Sequence, residues 1–247
     1  MGNEELKAKY DEMHSQGPSA WFNDGKEERE LILKMGEPWV DLAVLEIGCG
    51  EGDLAYRIFD RDAKVLAIDY SSEAIAKAKK KWAPNSKFRI YNWDYKDKRI
   101  GKHNRLVMQG VLEHLDDPFT ELKWMIDNFK PKSIITSSPC FLNPRGIVWM
   151  TLHMLGAVMS KTDLHFLNPW EFGDFCSRHG YKLSRKDCDW DWGHGTGMIA
   201  DLRKRIPLAL KDGNLVFYQD RLESLMEWLS RFELGSIGAT MVYRIDL

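Results

Sequence analysis

Gly48, Gly50 and Gly52 follow directly on the short β-forming run Ala43-Val44-Leu45-Glu46-Ile47. A glycine turn at the end of a strand lets a ligand approach backbone amides closely, because no Cβ stands in the way. The next β-forming run, Val65-Leu66-Ala67-Ile68-Asp69, ends on an acid. A carboxylate at that place can accept hydrogen bonds from a ribose diol. A dinucleotide pattern would require glycine at 48, 50 and 53, and position 53 is aspartate. Glu46 and Glu51 flank the turn, a charge pattern that repels a pyrophosphate and tolerates a cation. The chemistry these residues suit is recognition of a nucleoside that carries positive charge and no phosphate.

Further segments fall into register with that reading. Val44-Leu45-Glu46-Ile47-Gly48-Cys49-Gly50-Glu51-Gly52 resembles motif I of the class I S-adenosylmethionine-dependent methyltransferases, and Ala67-Ile68-Asp69-Tyr70-Ser71 resembles their motif II. Asn92-Trp93-Asp94 is similar to the acidic loop that meets adenine in that family. Gln109-Gly110-Val111-Leu112-Glu113-His114-Leu115-Asp116-Asp117-Pro118 resembles the fourth motif of its small-molecule branch, related to quinone-biosynthesis enzymes. The resemblance is good over residues 40–140 and loose elsewhere.

What the resemblance implies is S-adenosylmethionine as cofactor and S-adenosylhomocysteine as product. It implies that Gly48 and Gly50 pass under the methionine part, with Glu46 and Cys49 in the same cofactor-binding set. Asp69 would hold the ribose, Tyr70 would pack on adenine, and Asp94 would accept from the adenine amino group with Trp93 alongside. Gln109 would lie near the methionine end. Each has a structural alternative: Asp94 as a turn-former, Tyr70 as the edge of the core, Gln109 as strand-end polarity. Tyr10, His14 and Trp21 are candidates for a lid over the cofactor, since family members often close the site with residues upstream of motif I.

The sulfonium methyl is already activated, so such an enzyme chiefly aligns a nucleophile and excludes water. A hydroxyl acceptor would gain from a general base, and histidine titrates near neutrality. His114 follows the fourth strand and His165 ends an apolar insertion; these are the catalytic candidates, with bracing of the adjoining loop as the alternative for His114. Some relatives hold a divalent metal through Glu-x-x-Glu-His, but here the first position is Gly110, leaving Glu113 and His114. Two ligands make a poor oxygen-rich site, so no metal is expected.

These residues need a scaffold that brings strand ends together. Helices are predicted over residues 4–14 and 26–35, then strand 43–47 and helix 53–59, strand 65–69 and helix 72–82, and a strand at 88–91. Strand 105–108, helix 119–129, strand 133–136, helix 169–179, strand 181–187 and a terminal strand 240–245 follow. Alternation at this spacing predicts an α/β fold, a Rossmann-like doubly wound sheet, mostly parallel with an antiparallel C-terminal strand and helical cap insertions. One domain is expected: residues 1–39 as a helical lid, 40–140 as the cofactor-binding core, and 141–168 and 189–238 as caps. Trp149, Met150, Met154, Leu155 and Met159 give residues 141–166 an adaptable apolar surface, suited to an acceptor pocket or to packing.

Composition narrows the partners. With 35 basic against 37 acidic residues and a net charge of -2, the overall field offers a nucleic acid backbone little attraction, so none is expected. The lysines at 77 and 79–81 suit the solvated face of a helix. Cysteines 49, 140, 176 and 188 show no paired spacing, and they suit a reducing, cytoplasmic setting. Residues 1–10 are charged and do not resemble a secretory signal. The apolar stretch 146–159 is shorter than the ~20 residues a bilayer span requires, leaving peripheral membrane contact as the one membrane role. The expected partner is a small-molecule acceptor; methylation of protein or RNA, or cofactor binding without catalysis, are the competing readings. The oligomeric state and the stretch Trp190-Asp191-Trp192-Gly193-His194-Gly195 have no reading.

Overall fold

Apolar residues at helical spacing and β-branched runs between them produce the expected alternation. The computed structural model describes residues 3–15, 25–82, 85–140, 164–188 and 240–247. The apolar stretch 146–159, nearly all of the two cap insertions, Trp21 and the Trp190–Gly195 stretch fall outside them.

Helices α1 (Asn3–Ser15) and α2 (Lys26–Met35) precede β1 (Ala43–Ile47), α3 (Asp53–Phe59), β2 (Lys64–Asp69), α4 (Ser72–Lys81) and β3 (Phe88–Asn92). Next come β4 (Arg105–Gln109), a 3-10 turn at Leu112–His114, α5 (Pro118–Phe129) and β5 (Ser133–Pro139), then α6 (Pro169–His179), β6 (Lys182–Asp187) and β7 (Thr240–Asp246). The helix starts carry their signals in the sequence. The Ser71 hydroxyl accepts from the Ala74 N–H at 3.2 Å to cap α4, Asp117 caps α5 before Pro118, and Asn168 with Glu171 forms a capping box before Pro169 on α6. Lysines on α4 face solvent and pair with the first turn-and-helix unit, Lys77 to Glu51 at 3.3 Å and Lys81 to Asp53 at 2.8 Å.

The seven strands lie in the order β3-β2-β1-β4-β5-β7-β6. β1 to β5 are parallel, with Ile47 opposite both Ile68 and Met108, so the ends of β1, β2 and β4 share one edge. β7 enters antiparallel between β5 and β6. Successive residues on a strand face opposite sides. Leu45, Ile47, Leu66, Ile68 and Met108 therefore pack under α5 and α6, while Val44, Val65, Ala67 and Val107 pack under α2, α3 and α4. Both faces are covered, which is why these strands are apolar throughout rather than alternating.

Arg105 closes the opposite edge. The residue is 6% exposed; its guanidinium donates to the Ser133 hydroxyl at 2.9 Å and to the carbonyls of Gly36 and Pro38, and burial pushes its pKa down to about 10. The four cysteines are buried free thiols. No described helix is long and apolar enough to cross a membrane.

Candidate functional site

The turn after β1 is built for close approach. Gly48, Gly50 and Gly52 have φ of 70°, 52° and 81°, a left-handed region that side chains other than glycine rarely adopt. A Cβ at Gly48 would stand 2.6 Å from Val111 Cγ2, so the backbone there is pressed against the loop after β4. Asp69, at the end of β2, braces the turn from the other side. One carboxylate oxygen accepts from the Gly50 N–H at 2.8 Å, and the other accepts from the Ser71 N–H at 2.8 Å. Asn92 Nδ2 in turn donates to the Asp69 carbonyl at 3.0 Å, tying β3 to the same edge.

Glu46 lies in β1 just before the turn, and it is 2% exposed with Oε2 lacking a hydrogen-bond partner. Burial, and then the charge of Asp69, push its carboxyl well above the usual value, against an opposing pull from Arg29. A buried acid without a donor beside a glycine cradle fits a ligand that brings an ammonium group and a backbone-hugging chain. The amino acid end of S-adenosylmethionine has both. Cys49 is buried and its N–H donates to the Ile68 carbonyl at 3.0 Å, so its backbone, not its thiol, holds the turn against β2. Burial pushes the Cys49 thiol well above its ordinary pKa, which leaves it neutral.

The N-terminal helix crosses this edge. Tyr10 meets Tyr70 edge-on with ring centroids 5.7 Å apart, and meets His114 in the same manner at 5.7 Å. The Asp11 carboxylate accepts from the Ser71 hydroxyl at 2.6 Å and from the Glu73 N–H at 3.4 Å, anchoring α1 on the start of α4. Tyr70 keeps its hydroxyl buried without a partner, and burial drives its pKa up. His14 belongs to α1, but its side chain, like Trp21, is outside the described residues.

Gln109 ends β4 with Nε2 donating to Glu28 Oε2 of α2 at 2.7 Å. Glu113 is 2% exposed; it accepts from the Ser138 hydroxyl at 2.7 Å through Oε2. The Glu113 carbonyl accepts from the N–H groups of Leu164 at 2.9 Å and His165 at 3.1 Å, so the chain returning from the apolar insertion docks here. His165 Nε2 lies 3.1 Å from the Asp116 carbonyl. His114 thus ends the 3-10 turn against Tyr10, and His165 lies beside the loop that follows it.

The acidic loop divides. Asp94 is exposed, and its Oδ1 accepts from the Lys96 N–H at 2.7 Å, the turn-forming arrangement. Trp93 stacks on Tyr91 at 4.3 Å with 7° between the planes, and the Arg99 guanidinium lies 4.2 Å from its centroid. Its ring is drawn back over the face of the sheet, away from the strand ends. Alternation along an extended segment already places residues 91 and 93 on one face, so this contact was available to sequence reasoning. Asp11, Glu28 and Ser138 were not singled out from sequence. Each acts through a partner far along the chain, and no local pattern marks them.

The sequence profile of a methyltransferase domain family matches residues 40–164, half the chain. No curated protein matches. Among solved structures, a cyclopropane-fatty-acyl-phospholipid synthase-like protein from Lactobacillus casei is 16% identical over 99% of this chain and 100% of that one, with a TM-score of 0.58. Magnesium protoporphyrin IX methyltransferase from Synechocystis, solved with bound S-adenosylhomocysteine, is 16% identical over 75% and 93%, at a TM-score of 0.57. A cyclopropane synthase from Mycobacterium tuberculosis is 16% identical over 88% and 81%, at 0.56. Likeness at that identity carries the fold, and the family match carries the reaction: the chain belongs to the methyltransferase domain family and is a class I S-adenosylmethionine-dependent methyltransferase.

Proposed function

We propose that the enzyme transfers the methyl group to an O, N or C atom of a small, partly apolar acceptor. The observation that carries this reading is the crossing of α1 over the strand ends, where Tyr10 bridges Tyr70 and His114. A helix held there by Asp11 narrows the approach to the turn, which suits a small acceptor better than a folded protein or an RNA. Two of the similar folds are named for magnesium protoporphyrin IX and for a fatty-acyl phospholipid, both largely apolar molecules.

In this reading Gly48, Cys49 and Gly50 offer backbone to the methionine part, Glu46 accepts from its ammonium, and Gln109, steadied by Glu28, lines the same end. A carboxylate has about four acceptor sites, so Asp69 is suited to brace the turn and take the ribose hydroxyls together. Tyr70 lies along adenine and Asp94 accepts from its amino group, with Trp93 fixing the loop through Tyr91. Tyr10 closes over the top, and Trp21 joins the lid. The cofactor supplies an activated methyl group on sulfur. The protein orients it, keeps water away and, for a hydroxyl acceptor, takes a proton through His114 or His165. Residues 141–166 shape the acceptor pocket.

Methyl-labelled S-adenosylmethionine incubated with the enzyme and fractionated cell extract tests this. Label in small molecules that partition into organic solvent is the expected result. Label in polymer only would overturn the reading.

A further inference from the structure

Opposite the cofactor edge, a cleft of about 570 Å³ opens on the face of β1, β2 and β3. Its floor includes Leu66 and Trp93, and its walls come from the start of β2, the start of β3 and the β3–β4 connection. That connection is made of turns without a helix, so beyond the buried Leu66 this face opens to solvent at β3, where Arg89 is exposed. The side chains around the cleft include Lys64, Lys87, Arg89, Arg99 and Lys102, and no acid lines it.

Arg99 is neutralised by Asp97 at 2.5 Å and spread over Trp93. The other four are exposed, and among the described residues none of them forms an ion pair. Lys87 immediately precedes β3 and Arg89 is its second residue, and Leu66, two residues beyond Lys64, is in register with Arg89. Four like charges brought around one concavity repel each other unless an anion sits among them. What sets these four apart from other exposed lysines and arginines is that they line one concavity with no acid among its walls.

We propose that this cleft is a second ligand site, separate from the cofactor edge, for a small molecule carrying phosphate groups. Its size is that of a small-ligand pocket, which typically runs from about 300 to 1,000 Å³. Arginine with several lysines matches the geometry and charge of phosphate oxygens. The net charge of -2 on the whole chain disfavours a long polyanion, whose ends would run onto a surface that repels it. S-adenosylmethionine has no phosphate and belongs to the other edge, so the two sites take different molecules.

Calorimetry on the full chain with sodium tripolyphosphate at low salt is the test. Saturable binding of one equivalent is expected, weakened about tenfold or more in the Arg89→Gln/Lys102→Gln double variant, with S-adenosylhomocysteine affinity unchanged. If that variant loses S-adenosylhomocysteine binding, indicating misfolding, Lys64→Gln/Lys87→Gln replaces it with the same expected loss. Absence of saturable binding, or equal binding in the variants, overturns the proposal. So does binding only to phosphatidylglycerol vesicles or only to a single-stranded oligonucleotide, which would make the cleft a membrane or nucleic acid contact instead.

Discussion

Substituting Gly48 by alanine separates two costs that coincide at the turn. The first is backbone: φ at Gly48 is 70°, and holding a residue with a Cβ in that region costs about 1–2 kcal/mol. The second is steric: the new methyl would lie 2.6 Å from Val111 Cγ2, and overpacking of that kind costs about 1–3 kcal/mol. Together they predict a loss of roughly 2–5 kcal/mol. In a chain of this length each kcal/mol lowers Tm by roughly 2–4 °C, so thermal unfolding should fall by about 4–20 °C. Removing the opposing methyls with Val111→Ala relieves the second cost and leaves the first. The double variant should therefore show a favourable coupling of about 1–2 kcal/mol. S-adenosylhomocysteine affinity should drop at least tenfold in Gly48→Ala and stay low in the double variant, because the backbone remains displaced. Thermal denaturation with calorimetric titration of the four proteins measures both. Strictly additive stabilities would refute the contact with Val111, and wild-type affinity in Gly48→Ala would refute the cradle itself.

Asp69→Ala leaves the Gly50 and Ser71 N–H groups without their carboxylate, a loss of about 3 kcal/mol or more for two charge-assisted bonds; calorimetry should find S-adenosylhomocysteine affinity down at least 100-fold. Affinity near normal would show that the ribose site lies elsewhere. Glu46 titrates in the fold well above its ordinary 4.5, so the native state binds more protons than the unfolded chain once pH exceeds that value. Ligand-free stability should then fall as pH rises from about 4.5 towards the raised native value and level off beyond it. Glu46→Gln should flatten that slope, raise the ligand-free Tm at pH 8 and weaken S-adenosylhomocysteine binding about tenfold, as loss of a bond to a charged group would. An unchanged pH profile of Tm would remove the acid from this role. Tyr10→Ala deletes two aromatic contacts of about 0.5–1.5 kcal/mol each and should speed S-adenosylhomocysteine release roughly tenfold in stopped flow, with little change in core stability. Unaltered release would mean that α1 packs on the site without closing it.

Much of the fold is local in origin, and so it was legible. The predicted helices and strands match the observed ones within a few residues, because caps such as Ser71, Asp117 and Asn168 and the apolar runs of β1, β2 and β4 sit next to the elements they define. The parallel sheet and its antiparallel end follow from the same alternation. The insertion of β7 between β5 and β6 does not, since pairing Thr136 with Tyr243 is decided by contacts between segments far apart in the chain. The 3-10 turn at Leu112–His114 also went unforeseen. It is stabilised by Glu113 reaching Ser138 and by the chain at residues 164–165 docking on the Glu113 carbonyl.

The same division runs through the site and has a physical cause. Parallel strands end together, so residues at that edge have their place set by their own strand: Glu46 within β1, Gly48 and Gly50 after it, Asp69 at the end of β2, Gln109 at the end of β4. Their sequence positions carry their spatial positions. What lies above that edge has no such constraint. Asp11 reaches Ser71, Glu28 reaches Gln109 and Tyr10 reaches His114 from helices whose docking depends on shape and polar pairing, and nothing in the spacing of those residues encodes the partner. Trp93 is likewise held by neighbours, stacked on Tyr91 and under the Arg99 guanidinium. The geometry of the glycine turn and its edge is thus a property of strand order. The contacts above that edge, Asp11 to Ser71 and Tyr10 to His114, come from a separate helix, which can change without disturbing the turn.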